Sequence, residues 1–552
     1  MKKKSRVVPA LLLAAMLSVS GFSGCGQTGG ESAAPSQPAS QAASSAPSSA
    51  AEAEPAEAGV TFPLAEPITL SAYVQVPPYM SLILQTFNDN HVFQQREKDT
   101  NIHFDFVTTE LSVLLASDSL PDVFIEFKNY PGGSEKAVAD NVLVALNDYM
   151  EYAPNYSKIM AEHPDIAKEL VTDTGTITGF GTVQLGDEVP WYGPTINQNL
   201  LDELGLTMPE TIDEWYDVLT AFKNAGVEQP LNPSATWGWK VGFEYAVFTG
   251  AYDVSYNFYN ENGTAKYGPV EPGFKEFLTT FNKWYSEGLI DPDFVTPDAT
   301  AMQAQAMNRQ IGAMPYSYNL EEISAPENGA QFVAAPNPTL ERGGQLHLRN
   351  SNFHNKRVDS FAISTRNKYV PETVAWVDYA YSDEGYLLYN YGIEGESWNW
   401  VDGPANEFEQ TMLPQSLRGL NKHAVLDFSG AVNPGGLQDS ELRHVYTLHT
   451  TVGSLRTPYN AFPEEYAQAS AVWAKAGDDW YMPAIAHTAD EAASNSAVFT
   501  DIETFVEESV IQFIIGTKDL SEFDAYVQQV KAMGLDTVLE NKQAALDRYA
   551  NR

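Results

Sequence analysis

The sequence predicts an α/β protein whose folded body divides into two or more lobes. Short apolar strands alternate with longer amphipathic helices along its first third, and that alternation builds parallel βαβ units. Beyond a low-complexity N-terminal stretch there remain about 490 residues, more than one compact core holds. The composition is that of a folded chain: of 552 residues, 43% are hydrophobic and 12% aromatic, with 28 Tyr and 10 Trp.

The N-terminus contains the single cysteine. Lys2, Lys3, Lys4 and Arg6 form a basic head, followed by an apolar run and the small-residue exit "FSGC" ending at Cys25. This is the layout of a secretory signal peptide over residues 1–24, too short for a full membrane span. A lone cysteine cannot close an internal disulfide or half of a Cys-x-x-Cys motif. Its surroundings resemble the bacterial lipobox, which implies lipidation of Cys25 and two or more acyl chains, enough for stable anchoring. Residues 26–59 carry no aromatic, branched aliphatic or basic residue. They cannot bury enough apolar surface to offset their ordering entropy, and are expected to be a disordered Ala/Ser/Pro/Glu tether with a reach of about 30 Å.

The formal charge is −40, and falls to about −44 once the four basic residues of the signal peptide are removed. A surface so acidic repels nucleic acid and anionic headgroups and disfavours a polyanionic ligand. It also keeps a secreted protein soluble.

Element by element, "ITLSAYVQV" (68–76) reads as a buried strand, residues 80–100 as a helix, "NIHFDFVTTE" (101–110) as a second strand, and Val123 to Glu126 as a third. Ligands in open α/β sheets sit beyond the carboxyl ends of the strands, which points Tyr79 and Glu126 at a cleft. Packing of Tyr79 on its own lobe is the competing role. Further on, Thr211 and Glu214 form a capping box before a helix with Trp215, Val218, Leu219 and Phe222 on one face. "FNKWYSEGLIDPDF" is a helix stopped by Gly288, then Pro292. Ser521 and Asp524 are expected to cap a helix that Gly534 ends, with a last helix closing the chain.

Five segments carry a family resemblance: "ASDSLPDVFIE" (116–126), "INQNLLDELGLTMPETIDEWYDVLTAFK" (196–223), "FNKWYSEGLIDPDF" (281–294), "YNYGIEGESW" (389–398) and residues 513–549. In this order they resemble the extracellular solute-binding proteins of ABC importers, in the large lipid-anchored, carbohydrate-type (family 1) branch of Gram-positive bacteria. The resemblance implies a two-lobe, type II periplasmic-binding-protein-like clamshell with hinge crossovers and extra C-terminal helices. It places lobe one at residues 60–190 plus 350–390 and lobe two at 191–349 plus 391–552. It further implies a non-enzymatic monomer on the outer face of the cell membrane, delivering its ligand to ABC permease subunits, with closure driven by contacts to both lobes.

Aromatic residues interleaved with hydrogen-bonding groups mark candidate ligand contacts. They occur in "VPWYGPTINQN" (Trp191, Tyr192), "NPSATWGWK" (Trp237, Trp239), "MPYSYN" (Tyr316, Tyr318) and "GIEGESWNW" (Glu394, Trp398). Arg357 and Asp359, in the expected second crossover, add polar partners. Aromatic faces suit the C–H faces of pyranose rings, and amides, carboxylates and guanidinium groups satisfy hydroxyls that must not be buried unpaired. The expected ligand is therefore an oligosaccharide, with Trp237 and Trp239 as the leading stacking pair and core packing as the alternative for any one Trp.

No cofactor or metal is expected. "YNENGTAKYG" reads as a hairpin turning at Asn262-Gly263 rather than a calcium loop. "FIIGTKDL" lacks the first glycine of a Walker loop, and HExxH and GxSxG are absent. His444 and His449, five apart, do not share a helical face. Two other functions remain open on the residues alone: a cell-tethered glycoside hydrolase, which needs two carboxylates about 5–9.5 Å apart, and a peptide-binding importer component.

Overall fold

The eight strands of the two four-stranded sheets found among the described residues are, in chain order, β1 (Ile68–Tyr73), β2 (Ile102–Val107), β3 (Val123–Ile125), β4 (Tyr192–Asn197), β5 (Gln229–Leu231), β6 (Ile311–Ser317), β7 (Phe332–Ala334) and β8 (Phe361–Ile363). The structure is a computed structural model. It describes residues 59–76, 83–117, 119–127, 130–185, 190–234, 238–296, 298–348, 360–403, 422–427, 429, 445–448, 455–457 and 464–552.

The first sheet runs β8-β3-β1-β2. β1 is parallel to both β2 and β3, with Ala72 opposite Phe106 on one side and Val123 on the other. Strands shielded on both faces read as apolar runs, and Leu70, Ala72, Val123 and Phe124 are fully buried. The three strands expected from the sequence are all present and each is a little shorter. β3 stops at Ile125 because Glu126 takes a left-handed φ of 61° and its N–H donates to Ser360 O at 2.9 Å. The helix expected over 80–100 is His91–Thr100, because Asn90 accepts from the N–H groups of Val92 and Phe93 and fixes its start there. β8 joins antiparallel to β3, pairing Ala362 with Phe124.

The second sheet runs β7-β4-β6-β5. β4 and β6 are antiparallel, β5 and β6 parallel. Against it packs the helix Ile212–Asn224, whose capping box forms as the sequence indicates: Glu214 N–H donates to Thr211 Oγ1, and Thr211 N–H to Glu214 Oε2, both at 3.2 Å. Trp215, Val218, Leu219 and Phe222 are buried on its inner face. The helix Pro272–Ser286 ends before Gly288, which has a φ of 65°. Asn262 and Gly263, with φ of 52° and 90°, turn the hairpin that pairs Phe258–Glu261 with Thr264–Tyr267. The C-terminal cap differs from expectation. Asp519, not Ser521 or Asp524, accepts from Ser521 N–H and forms a capping box with Glu522, and the helix is Phe523–Val530.

Each sheet has its own apolar core. The first draws on residues 70–183 and 361–389 and also on Leu448 and Leu455. The second draws on residues 192–335 and then 502–535. Leu448 and Leu455 fall in the stretch expected with lobe two, yet they pack in the first core. The backbone there explains it: Leu448 N–H donates to Tyr389 O at 2.7 Å, and Val183 N–H to Leu455 O at 2.6 Å.

Candidate functional site

The start of β4 and the end of β6 lie side by side, Tyr192 opposite Ser317 and Gly193 opposite Tyr316. Tyr318 N–H donates to Trp191 O at 2.9 Å. Two of the aromatic pairs singled out in the sequence are thus brought to one end of one sheet. Tyr245, at the end of the helix Trp239–Glu244, completes the group: its ring meets Trp191 edge-on at 5.6 Å and Tyr192 edge-on at 5.3 Å. Within it the side chains have different roles. Tyr192 and Tyr316 are 1% exposed. Tyr316 donates its hydroxyl to Glu322 Oε2 at 2.8 Å and accepts from Gln303 Nε2 at 3.0 Å. Burial drives the Tyr192 phenol far above its ordinary range, so it stays protonated. Trp191, Tyr245 and Tyr318 are half-buried and present the accessible surface.

The other expected contacts are placed elsewhere. Trp239 is 3% exposed, with Phe243, Tyr256 and Phe294 edge-on around its indole at 5.6, 5.5 and 6.3 Å. It is a core residue: neighbours cover the ring that the sequence suggests as a stacking platform. Trp398 is likewise buried, beside Tyr386 and Tyr391 in a separate small cluster, and donates its indole N–H to Gly392 O at 3.0 Å. Glu394 is exposed near it, and Glu126 is half-buried at the end of β3. Tyr79, Trp237, Arg357, Asp359 and Cys25 lie outside the described residues.

Next to Tyr245 opens a cavity of about 240 Å³. Its walls include Tyr245, Phe258, Tyr259 and Trp480, with Glu244, Asp478 and Lys542 as the charged groups. One wall is fixed by several contacts at once. Trp480 stacks on His347 at 4.5 Å and 11°, and Tyr259 is near-parallel to it at 6.0 Å. Trp480 N–H donates to His347 O, and Asn260 N–H to Trp480 O. His347 Nδ1 in turn stands 2.9 Å from Asp479 Oδ2. Burial raises the pKa of Glu244 and lowers that of Lys542. Sequence reasoning missed this wall, although "GDDWYMP" (477–483) has the same Gly/Pro-flanked, aromatic-and-acid pattern as the stretches it selected.

A concave site with aromatic walls and a few convergent polar groups is suited to holding a small polar molecule in a fixed orientation. Among the described residues no group of three or more His, Cys, Asp or Glu could hold a metal ion. No helix among them is long and apolar enough to cross a membrane.

Residues 76–386 match the family model for the bacterial extracellular solute-binding proteins. The chain belongs to that family. This solute-binding protein is 23% identical over 533 residues to the fructooligosaccharide ABC transporter substrate-binding protein FusA of Streptococcus pneumoniae, an alignment spanning 89% of this chain and 92% of FusA. Its fold superposes on FusA in complex with kestose with a TM-score of 0.69 at 19% identity, covering 88% of this chain and all of that one. Similarity extends to a solute-binding protein from Bifidobacterium longum infantis described as HMO-binding and ABC-transporter-associated, with a TM-score of 0.71 at 16% identity over 88% of this chain and 99% of that one. These likenesses establish the two-lobe α/β fold of type II solute-binding proteins, with additional C-terminal helices.

Proposed function

We propose that this protein captures an oligosaccharide between its two lobes and delivers it, unchanged, to the permease of an ABC importer. The observation that carries the reading is the alignment with FusA, which spans 89% of this chain and 92% of FusA rather than one motif. In this reading lobe one comprises residues 60–190 and 350–390 together with the stretch around Leu448 and Leu455, and lobe two the remainder of 191–552. The half-buried Trp191, Tyr245 and Tyr318 supply apolar surface for sugar rings, and the neighbouring carboxylates accept from hydroxyls. Glu126, at the carboxyl end of β3, is the contact proposed from lobe one. Closure follows from contacts to both lobes, since a ligand shifts the open–closed equilibrium only by its differential affinity for the two states.

The protein acts as a monomer tethered by lipidated Cys25, with residues 26–59 as the spacer and residues 1–24 removed as the signal peptide. It has no enzymatic step. The test is calorimetric titration of the purified protein with a panel of oligosaccharides, followed by recovery of the bound sugar after prolonged incubation. Stoichiometric recovery of intact sugar supports capture. Progressive appearance of shorter sugars would instead mark a glycoside hydrolase.

A further inference from the structure

The turn that ends the helix Trp239–Glu244 sets the place of Tyr245, and Ala246 shapes that turn. We propose that Ala246 is a positioning residue of the ligand site: its methyl group, carried on a strained backbone, ties Tyr245 to the wall that holds Tyr259 and Trp480. The inference rests on the carbohydrate reading above. At 3% exposure, Ala246 acts through Tyr245 rather than by touching the ligand.

Backbone geometry is the first observation. After Glu244 the chain closes with two hydrogen bonds, from Ala246 N–H to Phe243 O at 3.1 Å and from Val247 N–H to Gly242 O at 3.0 Å. This pair of bonds puts Ala246 where a helix end usually carries a left-handed glycine, and its φ is 56°. A residue with a Cβ is disfavoured in that conformation. Two other helices of the chain end in the same pair of bonds around Gly226 and Gly288. Where Arg309 takes the position, its side chain is put to use and meets Glu203 at 2.5 Å. At position 246 a glycine would relieve the strain, and all it would remove is the methyl group.

Packing shows what that methyl group does. Ala246 forms one buried apolar cluster with Tyr259, Leu348 and Trp480, drawn from four separate stretches of chain. Trp480 is itself held by its stack on His347 and by backbone hydrogen bonds to His347 and Asn260. One residue back, Tyr245 meets Trp191 and Tyr192 edge-on. Tyr245, Ala246, Tyr259 and Trp480 all line the cavity. The methyl group therefore couples two aromatic surfaces, Trp191 with Tyr245 and Tyr259 with Trp480. A ligand meeting both finds their spacing already set, so binding need not order Tyr245. Without the methyl group the turn keeps its hydrogen bonds, which suit glycine, but Tyr245 gains freedom.

The experiment titrates kestose, maltotriose, xylotriose and trigalacturonate into the wild type by calorimetry. Each sugar that binds is then titrated into Ala246→Gly, Tyr245→Leu and the double variant, and ligand-free thermal unfolding is recorded for all four proteins. Ala246→Gly is expected to weaken binding about three- to tenfold. Its unfolding midpoint should stay within about 2 °C of the wild type, relief of strain offsetting the lost packing. On the Tyr245→Leu background the same substitution should change affinity less than about twofold, because its effect runs through the Tyr245 ring. Wild-type affinity in Ala246→Gly overturns the inference. So does an equal loss on both backgrounds, which marks a direct contact, and so does a loss accompanied by a lowered midpoint, which marks ordinary packing. These three outcomes leave the carbohydrate reading intact. Failure of all four sugars to bind the wild type overturns that reading, and the inference with it.

Discussion

The guanidinium of Arg548 and the carboxylate of Asp173 meet at 2.5 Å, Nε to Oδ2, across 375 residues of chain. Arg548 also donates to both oxygens of Glu491, at 2.8 and 2.6 Å. Arg552 donates to Asp173 at 2.8 Å and to Val171 O at 2.9 Å. Together they fasten the helix Asp536–Ala550 to the segment that follows Pro164–Glu169 in the first core's part of the chain. An ion pair with one partner removed leaves the other uncompensated, and the cost rises with burial. Asp173→Ala is therefore expected to destabilise by about 2–3 kcal/mol, between exposed and fully buried pairs, as measured by denaturant unfolding. Asp173→Asn should fall between it and the wild type. A change under about 0.5 kcal/mol in both would remove the clasp from the protein's stability.

Glu491 gives this clasp a pH dependence. Hydrogen bonds from Arg548, against the opposing effect of burial, hold its carboxyl down at about 2, below the usual 4.5. A depressed folded-state pKa contributes stability that is complete above the unfolded value near 4.5 and is lost as the pH falls toward 2. Allowing for screening by water, the contribution is about 1–2 kcal/mol. With many other carboxylates titrating, the informative quantity is the stability difference between wild type and Glu491→Gln. It should be flat from pH 8 to about 5 and shrink between about pH 4.5 and 2. A difference that stays constant down to pH 3 contradicts the assignment.

Trp239→Ala separates packing from ligand stacking. With its indole enclosed by Phe243, Tyr256 and Phe294, truncation should cost about 3–5 kcal/mol of stability without ligand. Sugar affinity in the molecules that remain folded should change little. If affinity drops tenfold, about 1.4 kcal/mol, while the melting temperature holds, Trp239 is a ligand contact after all.

How much of this was legible from the sequence depended on the range of the interaction. The start and the buried face of the helix Ile212–Asn224 are legible because its capping box and apolar spacing are local. So is the hairpin at Asn262-Gly263, which needs two positive φ values in a row. Trp239 is not. Its neighbour Gly238 marks a turn and Phe243 lies one helical turn on, but the enclosure of the indole is completed by Tyr256 and by Phe294, more than fifty residues on, and no local pattern encodes those contacts. Order along the chain puts Leu448 and Leu455 with the second lobe, whereas backbone pairing with Tyr389 and Val183 decides their core. Trp480 is different again: "GDDWYMP" carries a local aromatic-and-acid pattern, but its stacking on His347 links positions 133 residues apart.

Cys25 tests the proposed anchor. Cells fed a clickable fatty acid should label the wild-type protein and not Cys25→Ser, and the variant should shift from the membrane fraction to the medium. Two acyl chains are needed for stable membrane residence, so loss of the thiol should release nearly all of it. Equal labelling of both proteins would sink the lipoprotein assignment.

The position of β8 sets an order of events during synthesis and export. All four strands of the second sheet, β4 to β7, are in hand once Ala334 has emerged. The first sheet begins earlier and finishes later: β3 ends at Ile125, and the strand that covers its free edge starts only at Phe361. While residues 126–360 are still being delivered, β3 presents an unpaired edge made of Val123, Phe124 and Ile125, the kind of apolar edge that recruits foreign strands. A chain emerging N-terminus first therefore depends on whatever shields unfinished proteins for as long as that gap lasts, and the part of the molecule begun first is the last to be made safe.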